Sequence, residues 1–298
     1  MQAQRPSQIL LLTPLLALVI AGCASVPVAS APTAPTATTD DNLNAVLWVQ
    51  RSQEFETTLI SLYRGAVNQL DAALADPQWD ALVAAERDNP GEWHGLPPAV
   101  ILDIDETVLD NSIYQARLVR DGLEYDDDTW AEWVAEQRAT LVPGVLEFAH
   151  AASQRGVTLY YVTNREHRLK DATLANLRAL GLPVAHDDVF LGLGMEVANC
   201  EQAGSRSGKF CRRQLVGRSH RVLMQFGDQL TDFIHLTANT SQARDAAVVE
   251  HNSWFGERWW MLPNPTYGGW EPALFNNDWS LPREQRRTLK REALNTGS

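Results

Sequence analysis

The chain has little of what builds soft-metal or redox centres: three cysteines, four methionines and seven histidines in 298 residues. Cys200 and Cys211 share one polar segment, but His220 is the nearest histidine and no histidine pair has a spacing that suits zinc. Positive charge is scarce as well. Lys and Arg number 25 against 37 Asp and Glu, a net charge of -12. No basic stripe marks a nucleic-acid groove, so polymeric DNA or RNA is not an expected partner. An acidic chain that handles anions must concentrate positive charge locally, through a metal and a few Lys or Arg. The apolar stretch from Ile9 to Ile20 is too short to span a bilayer.

That stretch reads as export. Arg5 gives a positive start, and the run ends Ala21-Gly22-Cys23, so residues 1–22 are a targeting segment. Small residues directly before a cysteine resemble a bacterial lipobox, in which Cys23 is lipidated and begins the mature chain. The alternative is an ordinary signal peptide that contains a cysteine. Ala24, where an acidic residue would retain a lipoprotein at the inner membrane, favours the outer membrane of a Gram-negative cell envelope. Residues 23–40, rich in Ala, Pro and Thr, read as a flexible tether. In an oxidising compartment Cys200 and Cys211 are expected to pair. Closing so short a loop is worth roughly 3 kcal/mol on a chain-entropy estimate.

Residues 41–298 suffice for one domain with a full core. From Leu43 to Leu74 apolar residues recur at helical spacing (Phe55, Leu59, Leu62, Ala66, Leu70), predicting one long amphipathic helix that stops before Pro77. A shorter helix is expected over Trp79 to Arg87, completing a helical region at 41–96. Beyond it strands and helices alternate, with an insertion at about 111–140 that carries a helix near Thr129 to Gln137. The predicted class is α/β, a parallel sheet wrapped by helices with a small, mainly helical cap. The tail from Pro282 reads as a charged surface helix.

Chemistry concentrates at strand ends. Val100-Ile101-Leu102 runs into Asp103-Ile104-Asp105, two carboxylates two residues apart on an extended segment and so on one side of it. A second apolar run, Val157 to Val162, ends in Thr163-Asn164-Arg165, and a third, Arg221 to Phe226, ends in Gly227-Asp228-Gln229-Leu230-Thr231-Asp232. Between them lies Ser207-Gly208-Lys209-Phe210. This order resembles the haloacid dehalogenase (HAD) superfamily, and within it the bacterial class C acid phosphatases, lipoproteins with four signature aspartates. The similarity extends from about Val46, through Trp48 to Phe55, to Glu271.

The resemblance implies a Rossmann-like sheet and a role for each match. Asp103 matches the nucleophile and a Mg²⁺ ligand, Asp105 the general acid/base and, through its carbonyl, a second ligand. Asp228 matches the third ligand, and Asp232 a group that steadies a metal-bound water. Thr163, with Asn164 behind it, matches a donor to the phosphoryl oxygens. Lys209 matches the cation that neutralises them. A lysine in a Ser/Gly-rich loop is otherwise usually just solvated, and Arg212 is the substitute candidate. Trp130 in the insertion and Tyr267 in Asn264-Pro265-Thr266-Tyr267-Gly268-Gly269-Trp270-Glu271 match aromatics that clamp a ring over the cleft. The competing reading has Trp130 and Trp133 as packing residues on one helix face.

The expected function is Mg²⁺-dependent hydrolysis of small phosphomonoesters, 5'-nucleotides and aryl phosphates among them, through an aspartyl-phosphate. A phosphotransferase of the same superfamily and a catalytically silent surface-binding lipoprotein are the alternatives. A homodimer is compatible with the sequence but not required by it.

Overall fold

The computed structural model describes residues 41–89, 91–201 and 207–297; the expected targeting segment 1–22, Cys23 and the expected tether to residue 40 lie outside the described residues. Helix α1 (Leu43–Arg51) and helix α2 (Gln53–Ala75) open the fold. They lead to β1 (Pro98–Leu102), β2 (Leu109–Asp110), α3 (Ser112–Asp121), α4 (Asp127–Glu136) and β3 (Thr140–Leu141). Next come α5 (Val145–Gln154), β4 (Thr158–Glu166), α6 (Lys170–Ala179) and β5 (Phe190–Leu193). The chain closes with α7 (Phe210–Ser219), β6 (Arg221–Gly227), α8 (Ser241–Glu250), β7 (Trp259–Met261) and α9 (Arg283–Glu292).

Five strands form one parallel sheet in the order β5-β4-β1-β6-β7. All seven residues of β6 are buried, without the alternation of a half-exposed strand. Such a strand is covered on both faces, as parallel sheets require. On one side Tyr63 of α2 stacks on Phe226 at 5.3 Å between ring centroids, and Phe148 of α5 lies 4.5 Å from the same ring. From β1 the chain steps outward to β4 and β5, then returns to the other side of β1 to lay down β6 and β7. Strand order therefore reverses at β1, and a ligand site is expected beyond the carboxyl ends there.

Two expected helices differ. The run from Leu43 to Leu74 is two helices, because Ser52 is extended (φ -87°, ψ 136°) and its side chain accepts from the Phe55 N–H at 3.1 Å. The cap satisfies an N–H that the new helix start would otherwise orphan. The segment from Trp79 to Arg87 is not a helix beyond a short 3₁₀ turn at Ala84–Glu86. Its polar groups bond β6 instead: the Ala81 N–H donates to the Val222 carbonyl at 2.7 Å and the Trp79 indole to the Leu223 carbonyl at 2.7 Å. The insertion carries two helices, α3 and α4, between the antiparallel pair β2 and β3.

Candidate active site

Three strand ends deliver the site. Asp103 follows β1, anchored by its N–H on the Phe226 carbonyl at 2.9 Å. The chain then turns tightly, with the Ile104 carbonyl accepting from Val108 and Leu109 N–H groups, both at 2.8 Å. Glu106 holds a left-handed conformation (φ 57°) in that turn. Asp228 and Asp232 follow β6. Gly227 is obligatory between strand and turn, since a Cβ there would lie 2.3 Å from the Asp232 side chain.

One oxygen from each of Asp103, Asp228 and Asp232 falls within 4.8 Å of the others. Lys209, just before α7 and 2% exposed, sits among them. Its ammonium is 2.5 Å from Asp103 Oδ1 and 2.7 Å from Asp232 Oδ1. Burial pulls the Lys209 ammonium down, but the charges of Asp103 and Asp232 outweigh burial and leave it raised. Burial holds the Asp103 carboxyl well above the usual range, Lys209 opposing and the charges of Asp232, Asp228 and Asp105 adding to the rise. Asp228 is pushed up to about 7 by burial and then by Asp232, against hydrogen bonds from Asn264 and Gln229. Three buried carboxylates against one ammonium form an under-neutralised site. A divalent cation fits it, and an all-oxygen donor set suits a hard one.

Asp105 is held separately. Its Oδ1 accepts from Arg165 Nε at 2.9 Å, Arg165 Nη2 at 2.8 Å and Asn111 Nδ2 at 2.9 Å. Its carboxylate is thus outside the three-oxygen cluster, so a metal-ligand role for Asp105 rests on its main chain. Asp232, expected only behind a metal-bound water, lies inside the cluster and on Lys209. Thr163, fully buried, accepts the Arg165 N–H on its hydroxyl at 3.1 Å, leaving the hydroxyl proton to donate.

Arg212 does not substitute for Lys209. Its guanidinium bonds the Thr163 carbonyl, Asn164 Oδ1 at 3.0 Å and the Gly208 carbonyl at 2.9 Å. It ties the end of β4 to the loop that carries Lys209, with its pKa lowered to about 10 by burial and then by Arg213. Asn164 is exposed and held by that clamp. A disulfide links Cys200 to Cys211, two residues after Lys209, with 5.7 Å between Cα atoms.

The two aromatics are held by separate contacts. Trp130 packs edge-on against Tyr114 at 5.1 Å, and the Arg165 guanidinium lies 5.5 Å over its ring. Trp133 is a packing residue, 1% exposed, donating its indole N–H to Asn111 Oδ1 at 2.9 Å. The Tyr267 hydroxyl donates to Glu106 Oε2. Burial, then the charges of Asp105 and Asp228, hold the Glu106 carboxyl well above its ordinary range. Sequence reasoning assigned no role to Arg165, Asn111 or Glu106. Arg165 had a usable signal, for it stands two residues from Thr163 on one strand and shares its face.

Residues 28–270 match the family model for the HAD superfamily, subfamily IIIB (acid phosphatase). The class C acid phosphatase from Bacillus anthracis is 32% identical, with a TM-score of 0.72 over 86% of this chain and 97% of that one. Its structure with tungstate bound gives 31% identity and a TM-score of 0.73 over the same shares. With the match running through every strand end that carries a catalytic candidate, the chain belongs to the class C acid phosphatases of HAD subfamily IIIB and is a phosphomonoesterase.

Proposed function

We propose that this phosphatase is Mg²⁺-dependent, hydrolyses small phosphomonoesters such as 5'-nucleotides and aryl phosphates, and works by two displacements through Asp103. The observation that carries the reading is the ammonium of Lys209 lodged between Asp103 and Asp232, with Asp228 completing the carboxylate cluster. Asp103, Asp228 and Asp232 would hold the cation, with the Asp105 carbonyl as the family resemblance implies. Bound there, Mg²⁺ supplies the charge neutralisation that lets an anionic carboxylate approach an anionic phosphoryl group.

In the first displacement an Asp103 oxygen forms a bond to phosphorus and the ester P–O bond breaks. Lys209 and the Thr163 hydroxyl stabilise the charge on the phosphoryl oxygens. The leaving alkoxide takes a proton from Asp105. Because all three N–H donors sit on Asp105 Oδ1, that proton belongs on Oδ2. In the second, water attacks phosphorus and returns a proton to Asp105, releasing Asp103 and inorganic phosphate. An aromatic leaving group would rest against Trp130 and Tyr267. A phosphomonoester panel assayed with and without EDTA tests this reading. Asp103→Asn should lose more than about a thousandfold in kcat, and EDTA should silence the wild type. Turnover that survives either treatment contradicts the mechanism.

Lipid anchoring through Cys23 belongs to the same proposal, supported by Ala21-Gly22-Cys23 and by a disulfide that suits an oxidising compartment. Cys23→Ser should shift active protein to the soluble fraction. An unmodified wild-type N-terminal peptide by mass spectrometry would refute it.

A further inference from the structure

The loop that bears Tyr267 hangs on the side chain of Asp228. Two primary amides make the connection. Asn264 Nδ2 and Gln229 Nε2 each donate to Asp228 Oδ2 at 2.7 Å. The carbonyl ends of the same amides accept from the loop. Asn264 Oδ1 takes the Thr266 N–H at 2.9 Å and the Thr266 hydroxyl at 2.7 Å, and Gln229 Oε1 takes the Gly269 N–H at 2.7 Å. An amide can donate at one end and accept at the other, so each spans carboxylate and backbone without a charge of its own. Gly268 allows the close fit: its φ is 153°, and a Cβ there would lie 2.5 Å from the Gln229 amide. Asn239 holds the far side, donating to the Gly269 carbonyl at 2.8 Å. The Tyr267 hydroxyl closes the loop onto Glu106, the neighbour of Asp105.

We infer that Asn264 and Gln229 couple the cation site to the aromatic site: a cation on Asp228 and a ring on Tyr267 each raise the affinity for the other. The inference rests on the reading above, in which Asp228 binds the cation and Tyr267 meets the ring. Both amides use Oδ2, so they set the plane of the Asp228 carboxylate and the direction in which Oδ1 is offered. Groups that orient a ligand in this way commonly change metal affinity by about 10–100-fold when removed. A ring that fixes the loop fixes the amides and hence Asp228, and linkage makes the effect reciprocal. Asn264 and Gln229 are positioning residues, acting through Asp228 and Tyr267.

The experiment is isothermal titration of the full chain with Mg²⁺, alone and with saturating phenylphosphonate or methylphosphonate, neither of which has an ester bond to cleave. Any phosphonate raises Mg²⁺ affinity by direct charge attraction. The ring-dependent increment is the quantity of interest. In the wild type, phenylphosphonate should lower the Mg²⁺ Kd about tenfold further than methylphosphonate does. In Asn264→Ala and Gln229→Ala that increment should shrink below about twofold, while the methylphosphonate effect persists. A residue that only supports the fold would weaken both ligands alike.

Equal effects of the two phosphonates on the wild type would overturn the coupling, as would an increment preserved in both variants. The wild-type comparison stands even if a variant fails to fold. Failure of the underlying reading looks different: no Mg²⁺ binding, or phenylphosphonate binding no tighter than methylphosphonate to the Mg²⁺-loaded wild type. Either removes the coupling along with its premise.

Discussion

Asp228 illustrates what a crowded carboxylate costs a fold and what a cation returns. Burial, then the Asp232 charge, raises it from 3.8 to about 7. With a folded pKa above the unfolded one, the folded chain holds an extra proton between those values. The stability this group contributes is full below the unfolded pKa and is lost as pH rises through the folded one. In chelator, the thermal unfolding midpoint should therefore drop as pH rises from about 4 to about 7. Asp228→Asn should flatten that fall, and saturating Mg²⁺ should abolish it by favouring the ionised carboxylate. Parallel slopes for wild type and variant in a thermal melt series would show that Asp228 is not the group responsible. At this scale the sequence was informative about residue types and weak about partners. Asp103, Lys209, Asp228 and Asp232, matched by the family resemblance, form one cluster. The grip of Arg165 on Asp105 and the amides on Asp228 depend on side-chain directions that no spacing encodes.

At the scale of elements, apolar periodicity located the helical stretch from Leu43 to Leu74 and apolar runs the strands β1, β4 and β6, but neither located the break at Ser52. Ser52 is half-buried and in register with Phe55, Leu59 and Leu62, so the 3.6-residue pattern runs on through it and cannot report a change of axis. The break is still capped. Ser52→Ala should destabilise the protein by about 1 kcal/mol in urea unfolding, with KM unchanged; no loss of stability would mean the cap is not what starts α2. The far end of α2 is held differently. Arg221, at the start of β6, donates to the carbonyls of Ala73 at 3.2 Å, Leu74 at 3.0 Å and Asp76 at 2.5 Å. One guanidinium thus satisfies carbonyls that a helix terminus leaves unpaired and fixes α2 to the sheet. The segment from Trp79 to Arg87 misled for a related reason: its apolar residues fit a helix, but its backbone is claimed by β6.

For the whole molecule, the reversal of strand order at β1 explains why residues from 103 to 232 meet. The ends of β1, β4 and β6 are neighbours, so Asp103, Thr163 and Asp228 arrive together although they are far apart in sequence. The parallel sheet wrapped by helices followed from the alternation of strands and helices and from the family resemblance. The placement of the cap helices over Asp105, through Tyr114, Trp130 and Arg165, did not. The central claim is that phosphate passes through Asp103 and not directly to water. Hydrolysis in labelled water of an aryl thiophosphate made chiral with oxygen isotopes reports the stereochemical course at phosphorus. Two displacements predict retention of configuration in the released thiophosphate; inversion would mean a single direct attack by water and would contradict the account.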